Sequence, residues 1–186
     1  MLGLNYLRHF ASATVGTVIL VAIGCSNGSE TTVVSTQMAQ MQADNVVYGM
    51  TQILTKEGLR EGVVKADSAY FYQDSSAVHL MGVHMTIYAE DGSERAQVVA
   101  NRGRLDTNRQ EMLGEGDVVL TIPGAGRTIR TGQLHYSSAD DRIWSDTYTI
   151  MEEDGEVTCG SAFHSDLEFR NVLIEHARTA GCRQQP

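Results

Sequence analysis

Histidines and acidic residues are the side chains of this 186-residue sequence that could bind a metal or transfer protons. His135 and His164 occupy similar places in neighbouring stretches, and Asp166 follows the second of them. Two imidazoles and one carboxylate would be the smallest set of protein ligands for an open zinc site. No further donor accompanies these three residues in the sequence. We therefore expect surface or sheet-edge histidines and predict no metal site.

Acidic clusters raise the separate possibility of hydrolytic chemistry. Asp140-Asp141 and Glu152-Glu153-Asp154 fall in segments that read as turns. Two carboxylates on a β scaffold can hydrolyse a glycosidic bond, one as acid and one as base or nucleophile. Neither cluster has a visible reason for a raised pKa, and the sequence has no G-x-S-x-G elbow, P-loop or H-E-x-x-H motif. We predict a protein that is not an enzyme and uses no cofactor.

Four glycines divide most of the chain into similar stretches. Gly58, Gly92, Gly126 and Gly155 are separated by 34, 34 and 29 residues. A period in this range is typical of stacked units that cannot bury their apolar faces alone. No segment from 46 to 180 shows a convincing helical period. We predict four stacked β units, mostly antiparallel.

The strands themselves are indicated by alternating apolar residues between turn-forming residues. The first predicted strand is Val46–Thr55. Within the second unit we predict strands at 95–100, 103–105 and 118–122, with a polar turn at 106–111. Every second residue of 118–122 is apolar and on one face, which sets an inside and an outside for the stack.

The N-terminal residues differ in composition from the rest of the chain. Phe10–Gly24 is almost entirely apolar or small, and Val21–Cys25 resembles a bacterial lipobox. We predict a lipoprotein signal peptide at 1–24 with lipidation of Cys25; the alternative is an uncleaved membrane anchor. The remaining organisation is predicted as a linker at 25–45, a β domain at 46–178 and a polar tail at 179–186.

The net charge limits the classes of partner that the protein can bind, and the cysteines bear on the compartment. The formal net charge is −9, which is poorly suited to nucleic acid. Cys159 and Cys182 follow Cys25, and an oxidising compartment would permit them to pair. Cys159 lies in a predicted strand and Cys182 in the polar tail, so the sequence leaves their pairing open.

Several motifs occur in an order that resembles a known family. They are VKADSA at 64–69, VVANRG at 98–103, IRTGQLHY at 129–136, IWSD at 143–146 and GSAFHSDL at 160–167. Residues 44–181 resemble LptC, the periplasmic component of the lipopolysaccharide export machinery. The resemblance implies an antiparallel β-jellyroll, also called a β-taco, whose two walls enclose an apolar groove.

The same resemblance implies a function and partners. Lipopolysaccharide acyl chains would enter the groove from an inner-membrane ABC transporter and pass to an LptA-like β-jellyroll bridge protein. The protein would lie at the periplasmic face of the inner membrane, although the apparent lipidation of Cys25 leaves the outer membrane possible. Typical LptC proteins carry one transmembrane helix, and this chain differs in that respect.

Candidate site residues follow from the alternation and the resemblance together. The groove candidates are Met85, Ile87, Leu105, Val118, Leu120, Ile122, Leu134, Tyr136, Ile143, Ile150 and Phe163. The candidate edge strands for partners carry Val46, Tyr48 and Met50 at one end and Phe169, Val172 and Ile174 at the other. Alternation alone does not distinguish a groove from a dry core, so a structural or adhesion lipoprotein remains the alternative. The identity of the lipid and the oligomeric state also stay open.

Overall fold

The computed structural model describes residues 43–182, and most of these lie in β-strands. The strands are β1 Asn45–Lys56, β2 Leu59–Phe71, β3 Ala77–Tyr88, β4 Glu94–Asp106, β5 Glu111–Ile122, β6 Arg127–Ser137, β7 Arg142–Ser145, β8 Thr149–Glu153, β9 Glu156–Gly160, β10 Ala162–Asp166 and β11 Leu173–Glu175, with a 3-10 turn at Pro123–Ala125. They form one antiparallel sheet in the order β1-β2-β3-β4-β5-β6-β7-β10-β11, and β8 pairs with β6 and β9. The predicted all-β class is confirmed. No helix within 43–182 is long and apolar enough to cross a membrane.

The four glycines that mark the sequence repeat lie in four hairpin turns. Gly58, Gly92, Gly126 and Gly155 have φ angles of 82°, 82°, 60° and 82°. Glycine adopts this left-handed conformation without the steric cost that a side chain adds. The predicted boundary between 100 and 103 is wrong, because β4 runs through it from Glu94 to Asp106.

The long strands are bent near their middles, and the bends line up across the sheet. Pairing is skipped at Gly49, at Gly82 and at Gly116-Asp117, and all three glycines have positive φ angles. β7 and β8 are two halves of one bent strand, because they pair with the two halves of β6. Ser161 similarly separates β9 from β10. We call this line of bends the crease.

Polar side chains fill the space beside two of the crease glycines, Gly82 and Gly116. A Cβ added at Gly82 would lie 2.1 Å from a carboxylate oxygen of Asp67 on the neighbouring strand. A Cβ at Gly116 would lie 3.3 Å from the side chain of Asn101, whose Nδ2 donates to Asp117 at 2.9 Å. The crease therefore combines backbone that favours glycine with side chains that need a small neighbour.

The burial pattern changes phase at the crease. Val83, Met85 and Ile87 are buried on one side of the bend in β3, and Val78 and Leu80 on the other. Residues from both halves of the sheet join one hydrophobic cluster. The sheet is therefore folded face to face along the crease, which is the β-taco arrangement of a jellyroll, with its core between two walls.

Candidate functional site

Ten of the eleven groove candidates lie on the inner face and are almost fully buried. Their exposed fractions do not exceed 4%. These residues are Met85, Ile87, Leu105, Val118, Leu120, Ile122, Leu134, Tyr136, Ile143 and Phe163. They pack in the cluster shared by both walls, so the interior of the described domain is filled by its own side chains.

Ile150 lies on the opposite face of the sheet from the other ten candidates. It pairs in register with Arg130 and lines an outer depression with Val119. The next residue, Met151, pairs with the buried Ile129 and packs against the core. Side chains of adjacent strand residues point to opposite faces, so Met151 and not Ile150 lies on the inner face.

Opposite the crease, the turns at the two ends of the strands meet and form what we call the mouth. The Nζ of Lys56 donates to the carbonyl oxygen of Ser138 at 2.9 Å, and Nε2 of Gln110 donates to the carbonyl of Thr55 at 3.0 Å. The hydroxyl of Ser138 also donates to the carboxylate of Glu61. These bonds join the β1–β2 turn to turns more than fifty residues away, and the sequence offered no local signal for them.

A second connection across the mouth involves the loop after β10. Nη1 of Arg95 lies 2.6 Å from a carboxylate oxygen of Glu168 and donates to its backbone carbonyl at 3.3 Å. The neighbouring Leu167 and Phe169 are buried and belong to the core cluster. The loop therefore closes one end of the interior with two apolar side chains and one ion pair.

A cavity of about 660 Å³ opens at the mouth. Its lining includes Lys56, Arg60, Glu61 and the inner-face residue Ile87. The guanidinium carbon of Arg60 lies 3.9 Å from the ring centroid of Tyr88. The cavity thus lies where charged side chains border the apolar interior.

Tyr136 extends from the core toward this polar border. Burial raises the pKa of its hydroxyl above the ordinary value, and the neighbouring charge of Glu61 raises it further. The side chain therefore stays neutral at physiological pH, and its ring remains part of the apolar interior.

The first edge of the sheet is long and carries little charge. β1 has twelve residues, and its single charged side chain, Lys56, is the last of them. β1 pairs with β2 on one side, and no other strand within 43–182 pairs with its other side. Tyr48 is 79% exposed, whereas Val46 and Met50 are half-buried.

The last edge is shorter than the sequence suggested. β11 comprises three residues, and only Ile174 of the three predicted edge residues lies in it. Val172 packs against the core just before β11. Phe169 is a correction, because it lies in the preceding loop with a φ of 55° and is only 7% exposed. Cys159 and Cys182 form a disulfide, which ties the start of the predicted tail to β9.

The remaining predictions concern metal binding and the N-terminal segment. Within 43–182 no three histidine, cysteine or acidic residues are placed to hold a metal ion. His135 and His164 lie on strands separated by β7, and Trp144 stacks on His135 at a centroid distance of 4.8 Å. Cys25, the signal or anchor at 1–24 and most of the linker lie outside the described residues.

Comparison with known proteins adds a family match. Residues 13–180 match the family described as "Lipopolysaccharide-assembly, LptC-related". No curated protein matches the sequence significantly. Among solved structures, the chain is similar to LptH of Pseudomonas aeruginosa, described as the LptA homologous periplasmic component of the lipopolysaccharide transport device. The two are 14% identical, with a TM-score of 0.49, over 67% of this chain and 88% of LptH.

Proposed function

Since the chain belongs to the LptC-related family of lipopolysaccharide-assembly proteins, we propose that it is a non-enzymatic carrier that shields lipopolysaccharide acyl chains between the two walls of its sheet. The observation that carries this proposal is one continuous apolar inner face shared by both walls. Each Å² of acyl surface removed from water on that face contributes about 25 cal/mol. The direction and energy of transport would come from a partner.

Loading requires the two walls to separate, because the inner-face side chains fill the interior of the closed form. The crease supplies a line of glycines on which the walls can hinge. The mouth supplies polar contacts that hold the walls together, including those of Lys56 and Gln110. Acyl chains would enter at the mouth and replace contacts between the walls, while the phosphorylated sugar stays among the charged residues outside.

The two sheet edges would connect the carrier to its neighbours by strand addition. β1 would face the jellyroll subunits of an inner-membrane ABC transporter, and the last strand would face an LptA-like bridge protein. Lipid on Cys25, or an uncleaved N-terminal helix, would hold the domain at the periplasmic face of the inner membrane. Two or more acyl chains are needed for a stable lipid anchor.

Adjacent residues of β8 provide a test of the groove. A photoreactive amino acid at position 151, on the inner face, should form a lipopolysaccharide adduct in cells. The same amino acid at position 150, on the outer face, should not. Equal labelling at both positions, or none at 151 in a folded and expressed protein, would contradict the proposal.

The filled interior favours one alternative, a structural or adhesion lipoprotein with a dry core. Ten buried candidates at 4% exposure or less are what such a core needs. Mass spectrometry of lipids that purify with the full-length protein separates the two functions. A carrier should purify with about one molecule of lipopolysaccharide or its precursor per protein. A dry-core protein should purify with the same lipids as a matched control lipoprotein, and detergent should exchange them.

A further inference from the structure

Residues 173–182, which we call the strap, form the outermost layer at the last edge of the sheet. β11 pairs with β10 through Leu173, Ile174 and Glu175. Further along the strap, Arg178 and Cys159 exchange two backbone hydrogen bonds of 2.9 Å. The strap therefore runs over the junction of β9 and β10 and covers the backbone edge that these strands would otherwise present.

Gly160 permits this close approach. A Cβ at Gly160 would lie 2.1 Å from the carbonyl oxygen of Glu175 and 2.5 Å from a methyl carbon of Ile174. Both distances are too short for any side chain at position 160 unless the strap moves. The backbone N–H of Ser161 donates to the same Glu175 carbonyl at 2.9 Å. The strap therefore packs directly on the backbone at Gly160, where only glycine leaves enough room.

The disulfide is the covalent attachment of the strap to the sheet. Cys182 bonds to Cys159 with their Cα atoms 5.6 Å apart. A three-residue strand has few ladder bonds, so it is only weakly held by pairing alone. Closing the loop between the two cysteines removes conformations that a free strap would otherwise populate.

Building on the proposed function, in which the last edge faces the bridge protein, we propose that the Cys159–Cys182 bond preassembles this edge by holding the strap against β9 and β10 before the partner docks. β10 is already covered by β11, so the backbone available to an added strand at this end belongs to the strap. Val172 and Ile174 continue the inner apolar face to this edge, and Leu173 is 57% exposed on its other side. The fitting partner is a β-sheet domain with a long edge strand of low charge, apolar on its inward side, of the kind that β1 represents.

Two variants perturb the strap by different routes. Cys182→Ser removes the covalent attachment at a half-buried residue, and Gly160→Ala displaces the strap with both cysteines present. Gly124→Ala is the matched control for the second, because nothing lies within 4 Å of a Cβ at Gly124. Full-length proteins are purified in detergent under oxidising conditions, and binding of the purified LptA-type bridge protein of the same organism is measured by biolayer interferometry.

The expected result is that Cys182→Ser and Gly160→Ala each weaken bridge-protein binding about tenfold or more, because a loose strap must be ordered again on docking. Hydrogen exchange at 173–178 should rise in both variants, and Gly124→Ala should match the wild type. Dithiothreitol should reproduce the Cys182→Ser result, since it reduces the disulfide to two thiols and becomes a cyclic disulfide.

Three outcomes overturn the inference. Unchanged binding despite faster exchange in the strap would show that the bridge protein docks elsewhere. Tighter binding in the variants would show that the strap is a cover that must be displaced. Failure of the wild type to bind would also refute it, and the lipid adduct at position 151 then decides whether the proposed carrier function fails as well.

Discussion

Weakening the mouth is expected to strengthen lipid binding. The double variant Lys56→Met, Gln110→Ala removes two hydrogen bonds that hold the β1–β2 turn against the opposite row of turns. If the walls must separate before acyl chains enter, these bonds oppose loading. The variant should therefore lose some folding stability and gain apparent affinity for lipid, which is the reverse of what damage to a preformed binding site would cause.

The size of the effect follows from the bonds removed. An intramolecular hydrogen bond contributes about 0.5–1.5 kcal/mol net, and water screens the charge of the exposed Lys56. Together the two bonds contribute about 1–2 kcal/mol to the closed form. Because about 1.4 kcal/mol corresponds to tenfold, the open fraction should rise roughly 5- to 30-fold. Apparent Kd should fall by the same factor while the open form is the minority.

Two measurements on the full-length protein check this prediction. Titration of a fluorescent acyl-chain probe gives apparent Kd, and urea denaturation gives the free energy of unfolding. Gln52→Ala is the matched control, because among the described residues the Gln52 side chain donates to the carbonyl of the adjacent, exposed Ile53 on the same strand. That variant should bind the probe as the wild type does.

The reasoning is refuted if the double variant loses stability as calculated while its lipid affinity stays the same or falls. Such a result would mean that the mouth contacts contribute to the fold without controlling access. Lipid would then have to reach the inner face by another route, such as an open sheet edge.

Two further predictions concern an edge and a turn. Tyr48→Lys places a charge on the edge strand β1 at a residue that is 79% exposed. Pull-down of the transporter should therefore fail, while the melting temperature changes little. Normal recovery of the transporter would exclude β1 as the docking edge. At the β4–β5 turn, the backbone N–H of Arg109 donates to Asp106 and lowers the pKa of its carboxyl, as does a hydrogen bond from Ser76. This stabilisation is present above the unfolded-state pKa of about 3.9 and is lost as pH falls through the lower folded-state pKa. Asp106→Asn should therefore flatten the acid limb of stability in urea denaturation, and identical acid limbs would count against the assignment.

Turn positions were predictable from sequence because their cause is local. A left-handed backbone favours glycine, and the turn glycines Gly58, Gly92 and Gly126 recur with the period of the hairpins. Alternating apolar residues likewise identified the strands, because one face of each strand is buried.

A second set of glycines marks the crease in the sequence, but the alternation of apolar residues alone did not reveal it. Gly49, Gly82 and Gly116 precede the turn glycines Gly58, Gly92 and Gly126 by nine or ten residues, so each strand that leads into such a turn carries a second glycine. A break in period 2 resembles the end of a strand, and only pairing on both sides identifies it as a bend.

The mouth and the last edge depend on contacts that no local pattern encodes. Lys56 and Ser138 are 82 residues apart, and an exposed turn lysine looks the same whether or not it has a partner. Phe169 carried the apolar character of an edge-strand residue, yet its positive φ turns it into the core. Ile150 was placed inward because alternation defines two faces without stating which one is buried.

The two edges differ in ways that restrict how copies of this protein can associate. β1 is twelve residues long with one charge at its end, whereas the last strand has three residues and a strap tied down through Gly160 and the disulfide. Contact between β1 of one copy and the strap of another would be head-to-tail, so it would assemble copies into rings or filaments. An edge of that length, with one charge at its end and one bend at Gly49, has little protection of its own. We therefore infer that β1 is covered by a different, long-lived partner, which leaves the strap as the edge where exchangeable partners can bind.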